Sequence, residues 1–538
     1  MSYEKVWANR PNLHASEIKK LEKDGLAIFN DVPFYAENGF GSIPREEWDS
    51  FKFAGLYLQR PKEAGYFMMR VNIPSGILTN GQVETIAGIA RDYGRNVIDI
   101  TVRQAVQFHW LRIEEIPDIF NRLEHVGLSS AGACGDITRN IVGNPLAGID
   151  KDELFDTTEI VKDIYNFFQR NEEFSNLPRK YKLSISSNLY NASNAELNCA
   201  SFIPATKEIN GEYVVGFNVK VGGGLSARPY LAEQLDIFVR PEQVKNVTIA
   251  ITTIFRDNGY REKRHHARLK FLVADWGVDK FRDKLFELTG PLPTKGEDAS
   301  KGWKAGYFYG IHEQKQEGVF YAGFHVPVGR LHANELFEIA RIAREYGNGD
   351  IRTCNSQNFI IPNVPREKVE ELSQQSLFES ITTNPQSFIG YAVSCTGMEY
   401  CNLALVETKA RLRGVATYLD EHLTIDVPVR IHMVGCPNSC GQRQIADIGL
   451  QGVKLKSDKG MVEAFELYVG GTLLNGGKFN EKLKGKVNAD ALQDVLLSFL
   501  TFFKDEKLLS ETFYEFVGRV GIEELQNHFT QILAEVLV

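Results

Sequence analysis

Four cysteines in two short stretches have the spacing to do chemistry. The first stretch is Cys395-Thr-Gly-Met-Glu-Tyr-Cys401 and the second is Gly435-Cys436-Pro-Asn-Ser-Cys440-Gly441. The pattern is C-x5-C, a gap of 34 residues, then C-x3-C. Four thiolates complete the ligand set of a [4Fe–4S] cluster. They equally complete that of a structural zinc ion, although neither pair has the tight C-x2-C spacing of a zinc knuckle. Buried thiols without a metal are the third reading. The elements that must hold the two pairs follow from periodicity. Leu405, Leu412, Val415 and Leu419 share one helical face, which predicts a helix over Asn402–His422. A strand over Val427–Val434 runs into the second pair, and Pro437 and Gly441 make that pair a turn.

The chain also contains itself twice. At a constant offset of 253, Gly65–Gln104 aligns with Gly318–Gln357 without a gap, and 14 of 40 positions are identical. Ile89-Ala-Arg-Asp-Tyr-Gly94 falls on Ile342-Ala-Arg-Glu-Tyr-Gly347. The period is far too long for a solenoid and reads as duplication of a whole lobe. Each copy predicts a strand (Tyr66–Ile73; Val319–Val326), a Pro-x-Gly turn, an amphipathic helix (Gly81–Tyr93; Ala333–Tyr346) and a second strand towards Gln104 or Gln357. The glycines ending the helices, Gly94 and Gly347, suit the C′ position. Beyond these units the match loosens. Pro178–Lys182 lies opposite Pro428–His432, and Val221-Gly-Gly-Gly224 lies opposite Val469-Gly-Gly-Thr472. The expectation is an α+β chain of two pseudo-symmetric duplicated halves, with mixed sheets and helices around a central site.

The two copies differ in chemistry. The second carries the four cysteines. The first carries cations at turns and strands: Arg103, Arg139, Lys180 and Lys182. In an extended segment, positions i and i+2 share a face, so Lys180 and Lys182 stand side by side. Two ammonium groups on one face repel unless an anion or solvent lies between them. The densest basic run, Ile254 to Lys270, includes Arg264, Arg268 and Lys270. Such a run is a solvated face or an anion site. Across 538 residues, hydrophobic content is 43% and charged content 24%, which is enough apolar material for several cores. A net charge of −8 implies no general nucleic-acid affinity. Seven sparse cysteines do not make a disulfide framework. The N-terminus has no apolar leader and no stretch is long enough to span a bilayer, so a reducing cytoplasm is expected. No G-x-G-x-x-G nucleotide fingerprint stands in a βαβ context.

Both cysteine stretches resemble the siroheme-dependent sulfite and nitrite reductases. CTGMEYCNLALVETK matches the first cluster loop and helix of that family, and GCPNSCGQRQIADIGLQG matches the second. The resemblance runs along nearly the whole chain. It implies five regions: an N-terminal arm (1–50) with no chemistry assigned, a first ferredoxin-like half-repeat (51–150), a first siroheme and substrate domain (151–305), a second half-repeat (306–390), and a second siroheme and [4Fe–4S] domain (391–538). It implies a [4Fe–4S] cluster on Cys395, Cys401, Cys436 and Cys440, with Cys440 bridging to siroheme. It implies that Arg103, Arg139, Lys180 and Lys182 surround the substrate oxyanion. Arg179, Arg264, Arg268 and Lys270 would meet the eight carboxylates of siroheme. Cys134, Cys199 and Cys354 match no cluster position.

The reaction so implied is six-electron reduction of sulfite to sulfide or of nitrite to ammonia. With no flavin or NADPH module, the donor would be a separate carrier, most simply reduced ferredoxin, and a monomer is expected. Lys180-Tyr-Lys182 is similar to the sulfite-type pocket, and a second ammonium suits a dianion. The cluster loops look more like the nitrite branch. Sulfite is preferred here because the lysines, not the loops, touch substrate. A non-catalytic siroheme or iron–sulfur sensor is the alternative from another class; it would keep the cysteines and lose the cations.

Overall fold

A computed structural model describes residues 5–458 and 460–536. The N-terminal segment forms two short helices, α1 (Ala15–Glu22) and α2 (Ile28–Asn38), packed on the body. The first half then builds β1 (Leu56–Leu58), β2 (Phe67–Val71), β3 (Ile77–Leu78), α3 (Asn80–Asp92), β4 (Val97–Ile100) and β5 (Val106–Leu111). A second layer follows: β6 (Leu183–Ile185), β7 (Ala200–Ile209), β8 (Glu212–Val221), β9 (Glu233–Val239) and the helix α4 (Val244–Asn258).

The second half repeats this order. Its first layer has β10 (Gly310–Glu313), β11 (Val319–Phe324), β12 (Arg330–His332), α5 (Ala333–Tyr346), β13 (Ile351–Thr353) and β14 (Phe359–Pro365). Its second layer has β15 (Ala392–Ser394), α6 (Lys409–His422), β16 (Ile431–Val434), β17 (Ile448–Ser457), β18 (Gly460–Val469) and α7 (Leu492–Glu506).

The halves exchange strands. One sheet runs β1-β2-β5-β4-β12 and the other β10-β11-β14-β13-β3. The short strand after each Pro-x-Gly turn therefore pairs in the other half's sheet, Leu331 opposite Ile98 and Leu78 opposite Ile351. The two turns share a left-handed geometry, with φ of 52° and 75° at Ser75 and Gly76 and of 48° and 71° at Val328 and Gly329. A Cβ on Gly76 would stand 2.1 Å from the Thr353 carbonyl, so the opposite half excludes any side chain there. The duplicated glutamines close the joint. Gln104 Nε2 donates to the carbonyls of Ser75 (3.0 Å) and Thr353 (3.2 Å), and Gln357 Nε2 to those of Ile100 and Ser394 (both 3.0 Å). Val83, Ile86 and Ala90 of α3 lie in one core with Leu336, Ile339 and Ala343 of α5, so both sheets share a single apolar interior. Each second layer has its own core.

Three local expectations need correction. The helix predicted from Asn402 begins at Lys409, because residues 402–408 cross the second cysteine loop, where Leu405 N–H donates to the Gly435 carbonyl at 2.8 Å. Gly94 and Gly347 end their helices without a left-handed φ. Close approach explains Gly347, where a Cβ would lie 2.7 Å from the Pro362 carbonyl. The alignment of Pro178–Lys182 on Pro428–His432 is two residues out. The parallel pairs Leu183 with Ala200 and Ile431 with Ile448 set the second-layer offset at 248, which places Lys182 on Arg430 and Cys199 on Asp447.

Candidate functional site

The strands β15, β16 and β17 run parallel, and the cysteines follow the ends of the first two. Cys395 comes directly after β15 and Cys436 two residues after β16. The loops touch. Cys395 N–H donates to the Met433 carbonyl at 3.2 Å, and Gly435 N–H donates to Cys395 Sγ at 3.2 Å. A Cβ on Gly441 would stand 3.1 Å from Cys395 N, and one on Gly435 2.8 Å from Ala404 Cβ. All four thiols are free; Cys440 is exposed and the others half-buried. Burial pushes Cys395 up to about 12, with Cys440 adding repulsion. Cys401 and Cys436 rise for the same reasons, opposed by N–H groups of Leu403, Ala404 and Asn438. Among the described residues no three Cys, His, Asp or Glu side chains converge closely enough to hold a single metal ion, but four thiols that act on one another, with N–H donors aimed at sulfur, fit an iron–sulfur cluster, whose positive iron would stabilise the thiolates that burial disfavours.

The first half holds this loop from below. Asn402 donates to the Leu58 carbonyl at 2.8 Å and Gln107 to Thr396 Oγ1 at 3.2 Å. The ring of Tyr400, next to Cys401, stacks on His109 at 3.8 Å. His109 in turn bonds the buried carboxylate of Asp99 (3.0 Å), which also takes Arg330 Nε (2.9 Å) and has Lys409 Nζ at 3.6 Å. Burial raises the Asp99 carboxyl, and these cations more than reverse it, holding it below the usual range.

The first half contributes a set of cations, of which Lys180 and Arg70 lie near enough to Cys440 to feel it. Tyr181 is fully buried between Lys180 and Lys182, so both lysines point away from the core on the same side. Among the described residues neither ammonium has a hydrogen-bond or ion-pair partner. Arg103 donates to Asn198 Oδ1 and the Asn140 carbonyl (both 2.7 Å), and its Nε has no partner. Among the described residues the Arg139 guanidinium meets only the carbonyls of Gly135 and Ala133. Burial pushes Lys180 down to about 7, with Arg268 and Arg139 lowering it further and Cys440 opposing them. Lys182 lies well below its ordinary value through burial, Arg103 and Lys180. Arg103 is lowered to about 9 by burial and its cationic neighbours. The influence of Cys440 on Lys180 places the second half's thiols and the first half's cations in one electrostatic neighbourhood.

The duplication explains why Lys182 is uncompensated. At its equivalent, Arg430 forms a two-pronged pair with Asp447 (2.6 and 2.9 Å). The position of Asp447 is Cys199 in the first half, so the same geometry leaves a cation without a carboxylate.

The basic residues that the sequence resemblance assigns to siroheme separate into three kinds. Among the described residues Arg268 Nη2 reaches only Cys199 Sγ, at 3.7 Å, and its Nε has no partner. Lys270 is spent on the carbonyls of Gly224, Leu225 and Arg228. Arg179 and Arg264 turn to Asp136, at 3.2 and 2.5 Å. Arg268 is thus the one of the four whose guanidinium is not taken by a carboxylate or by several carbonyls. Sequence reasoning missed Arg70. It stands on the non-core face of β2, bonded to Gln107 and the Ala133 carbonyl, and Cys134, Tyr57 and Cys440 support its charge against burial. Its signal was a lone cation in the alternating Phe67–Val71 strand, opposite Gly323 in the repeat.

A consequence follows for stability. Lys180 is lowered from 10.5 to about 7, so between these values the unfolded chain binds more protons than the folded one. Stability of the protein without bound anion should therefore rise with pH across that window. Saturating oxyanion should remove part of this slope, as read by thermal melts at several pH values.

Comparison with known proteins bears on this arrangement. Two regions, 134–290 and 392–536, match the profile described as "Nitrite and sulphite reductase 4Fe-4S domain". Two others, 59–126 and 312–376, match "Nitrite/Sulfite reductase ferredoxin-like half domain". The chain belongs to the nitrite and sulphite reductase family. The duplicated halves are those of this family, and the chain is an oxidoreductase of that kind. A ferredoxin–nitrite reductase of Synechococcus elongatus is 39% identical over 501 residues, covering 92% of this chain and 97% of its own length. A ferredoxin-dependent sulfite reductase of Mycolicibacterium paratuberculosis is 34% identical, covering 97% and 98%. The solved structure of the Mycobacterium tuberculosis NirA protein superposes with a TM-score of 0.91 at 32% identity, covering 97% of this chain and 99% of that one. Among the described residues no helix is long and apolar enough to cross a membrane.

Proposed function

We propose that this member of the family reduces sulfite to sulfide, taking six electrons from reduced ferredoxin, as a monomer in the cytoplasm. Siroheme and a [4Fe–4S] cluster, when bound, supply the electron transfer that no side chain provides. Cys395, Cys401, Cys436 and Cys440 would hold the cluster, with Cys440 shared with siroheme, and Arg268 would meet siroheme carboxylate. The fit rests on the donor set: four free thiols that act on one another, and buried cations without counterions.

The chain's own residues handle charge and protons. Arg103, Arg139 and Arg70 present fixed positive charge to the anion, and a guanidinium can grip two oxygens of an oxyanion at once. Burial lowers the proton affinity of both Lys180 and Lys182; Lys180, brought to about 7, can give a proton to a departing oxygen near neutral pH, and Lys182 stands beside it as a second donor. The observation that carries the sulfite reading is the unpaired Lys180–Lys182 pair, since two ammonium groups complement a dianion better than a monoanion.

A second reading, nitrite reduction to ammonia in the same pocket, is favoured by relatives. The Synechococcus elongatus protein and a Haloferax mediterranei protein 37% identical to this chain are both named ferredoxin-dependent nitrite reductases. Both readings use one test. Lys182→Asn removes one charge from the face meeting substrate. At ~4 Å and an effective dielectric near 20, a unit pair is worth roughly 4 kcal/mol before desolvation. The net difference between dianion and monoanion should be about 1–2 kcal/mol, a fall on the order of tenfold in the sulfite-to-nitrite ratio of kcat/KM. An unchanged or increased ratio assigns the pocket to nitrite. Absence of turnover with either anion in cofactor-loaded protein would favour the sensor reading.

A further inference from the structure

Asp136 has a fully buried carboxylate that the proposed chemistry does not use. It accepts from Lys20 Nζ at 2.9 Å, from Arg264 at 2.5 and 3.1 Å and from Arg179 at 3.2 Å. Lys20 belongs to α1, in the N-terminal segment to which the sequence assigned no chemistry. Its ammonium is also buried and spends its other donors on Glu17 Oε1 (2.6 Å) and the Leu177 carbonyl (2.9 Å). Glu17 pairs with Arg261. The helix is seated by further contacts to the same region: His14 N–H to the Arg261 carbonyl (3.0 Å), and Trp7, whose ring lies 3.8 Å from the Arg261 guanidinium.

Lys20 thus touches two segments at once. One runs from Ala133 to Arg139 and carries Arg139 three residues after Asp136. The other runs from Asn176 to Lys182 and carries Lys180 three residues after Leu177. Backbone bonds link the two: Leu177 N–H to the Asp136 carbonyl (2.9 Å), Tyr181 N–H to the Ile137 carbonyl (3.1 Å) and Arg139 N–H to the Tyr181 carbonyl (2.9 Å). Lysines and arginines that face one another without counterions push their loops apart. The opposing force must come from outside the pocket, and the Lys20–Asp136 pair supplies it at the junction of the loops. The same carboxylate explains where Arg179 and Arg264 point.

We infer that Lys20 is a positioning residue for the oxyanion pocket, and that the N-terminal helix holds the Arg139 and Lys180–Lys182 segments in register. This rests on the reading of that pocket as the substrate site. Misplacing charged groups by a fraction of an ångström to an ångström is costly for binding and rate. Holoenzyme carrying Lys20→Met should show a KM for the oxyanion raised about tenfold, and kcat should fall as well because Lys180 moves with its segment. Hydrogen exchange at the amides of Leu177, Arg139 and Tyr181 should be faster, while amides of the α3–α5 core stay as in the parent. Lys20→Arg, which keeps the charge, should restore both readouts. If Lys20→Met gives no folded protein, Lys20→Gln keeps a donor for the Leu177 carbonyl and is measured instead. Unchanged KM, unchanged exchange at the three amides, or exchange accelerated evenly through both layers would overturn the inference. Exchange needs no turnover, so local acceleration in a protein that reduces neither anion would preserve the positioning role and remove the substrate assignment.

Discussion

Replacement of Cys440 by serine should abolish six-electron reduction and strip the visible spectrum of purified protein. Cys440 is the exposed member of the thiol set, and it lies near enough to act electrostatically on Cys395, Cys401, Cys436 and Lys180. A shared ligand serves two groups, so its loss should lower both iron–sulfur content and siroheme absorbance. Cys354→Ala is the control. Cys354 is buried among Leu146, Ile149 and Phe308, remote from this role, and its loss should leave the spectrum as in the parent. A Cys440→Ser protein with full activity and an intact spectrum would remove the shared-ligand assignment.

Lys180→Met should reduce kcat/KM by about 10²–10⁴-fold, the usual range for loss of a positioned proton donor. The pH profile carries the sharper information. Burial brings the proton affinity of Lys180 to about 7. As pH rises through that value the free enzyme loses both a charge that attracts the anion and the proton to be donated. The parent's kcat/KM should therefore fall above neutral pH, and this limb should vanish in Lys180→Met. Nitrite is the better probe, because it keeps a single negative charge throughout that range. A parent profile that stays flat from pH 6 to 9, or a variant that retains the same falling limb, would assign the proton to another donor.

The fold was legible because duplication is written in the residues themselves. Pro74, Gly76 and Gln104 each recur 253 positions later, and each does the same physical work in both copies: turn, close approach and joint. The thiol set was legible from spacing and resemblance, and the unpaired lysines from their alternation about Tyr181. Less was legible where long-range partners decide. Nothing local tells that Arg264 and Arg179 turn to Asp136, because the carboxylate lies far away in the chain and is itself pinned by Lys20. Arg70 escaped notice because a single arginine in a strand looks like any solvated residue until the sheet shows which face it occupies. The late start of the helix at Lys409 has the same origin: its preceding residues are drawn into contact with a loop about 30 positions away.

The exchange of β3 and β12 has a further implication for how such a molecule arises. A single half on its own leaves the edge of its sheet open, with unpaired backbone groups that attract another strand. Two identical copies would close each other's edges about a twofold axis, as a swapped homodimer does. In such a dimer every copy must carry thiols and cations alike, since neither subunit can be told from the other. Covalent fusion lifts that constraint. One copy can then carry the four cysteines and the other the unpaired lysines, and Arg430 shows the difference: it has the counterion Asp447, whereas among the described residues Lys182 has none. A linked chain can therefore hold unlike groups on its two halves, which a symmetric pair of identical copies cannot.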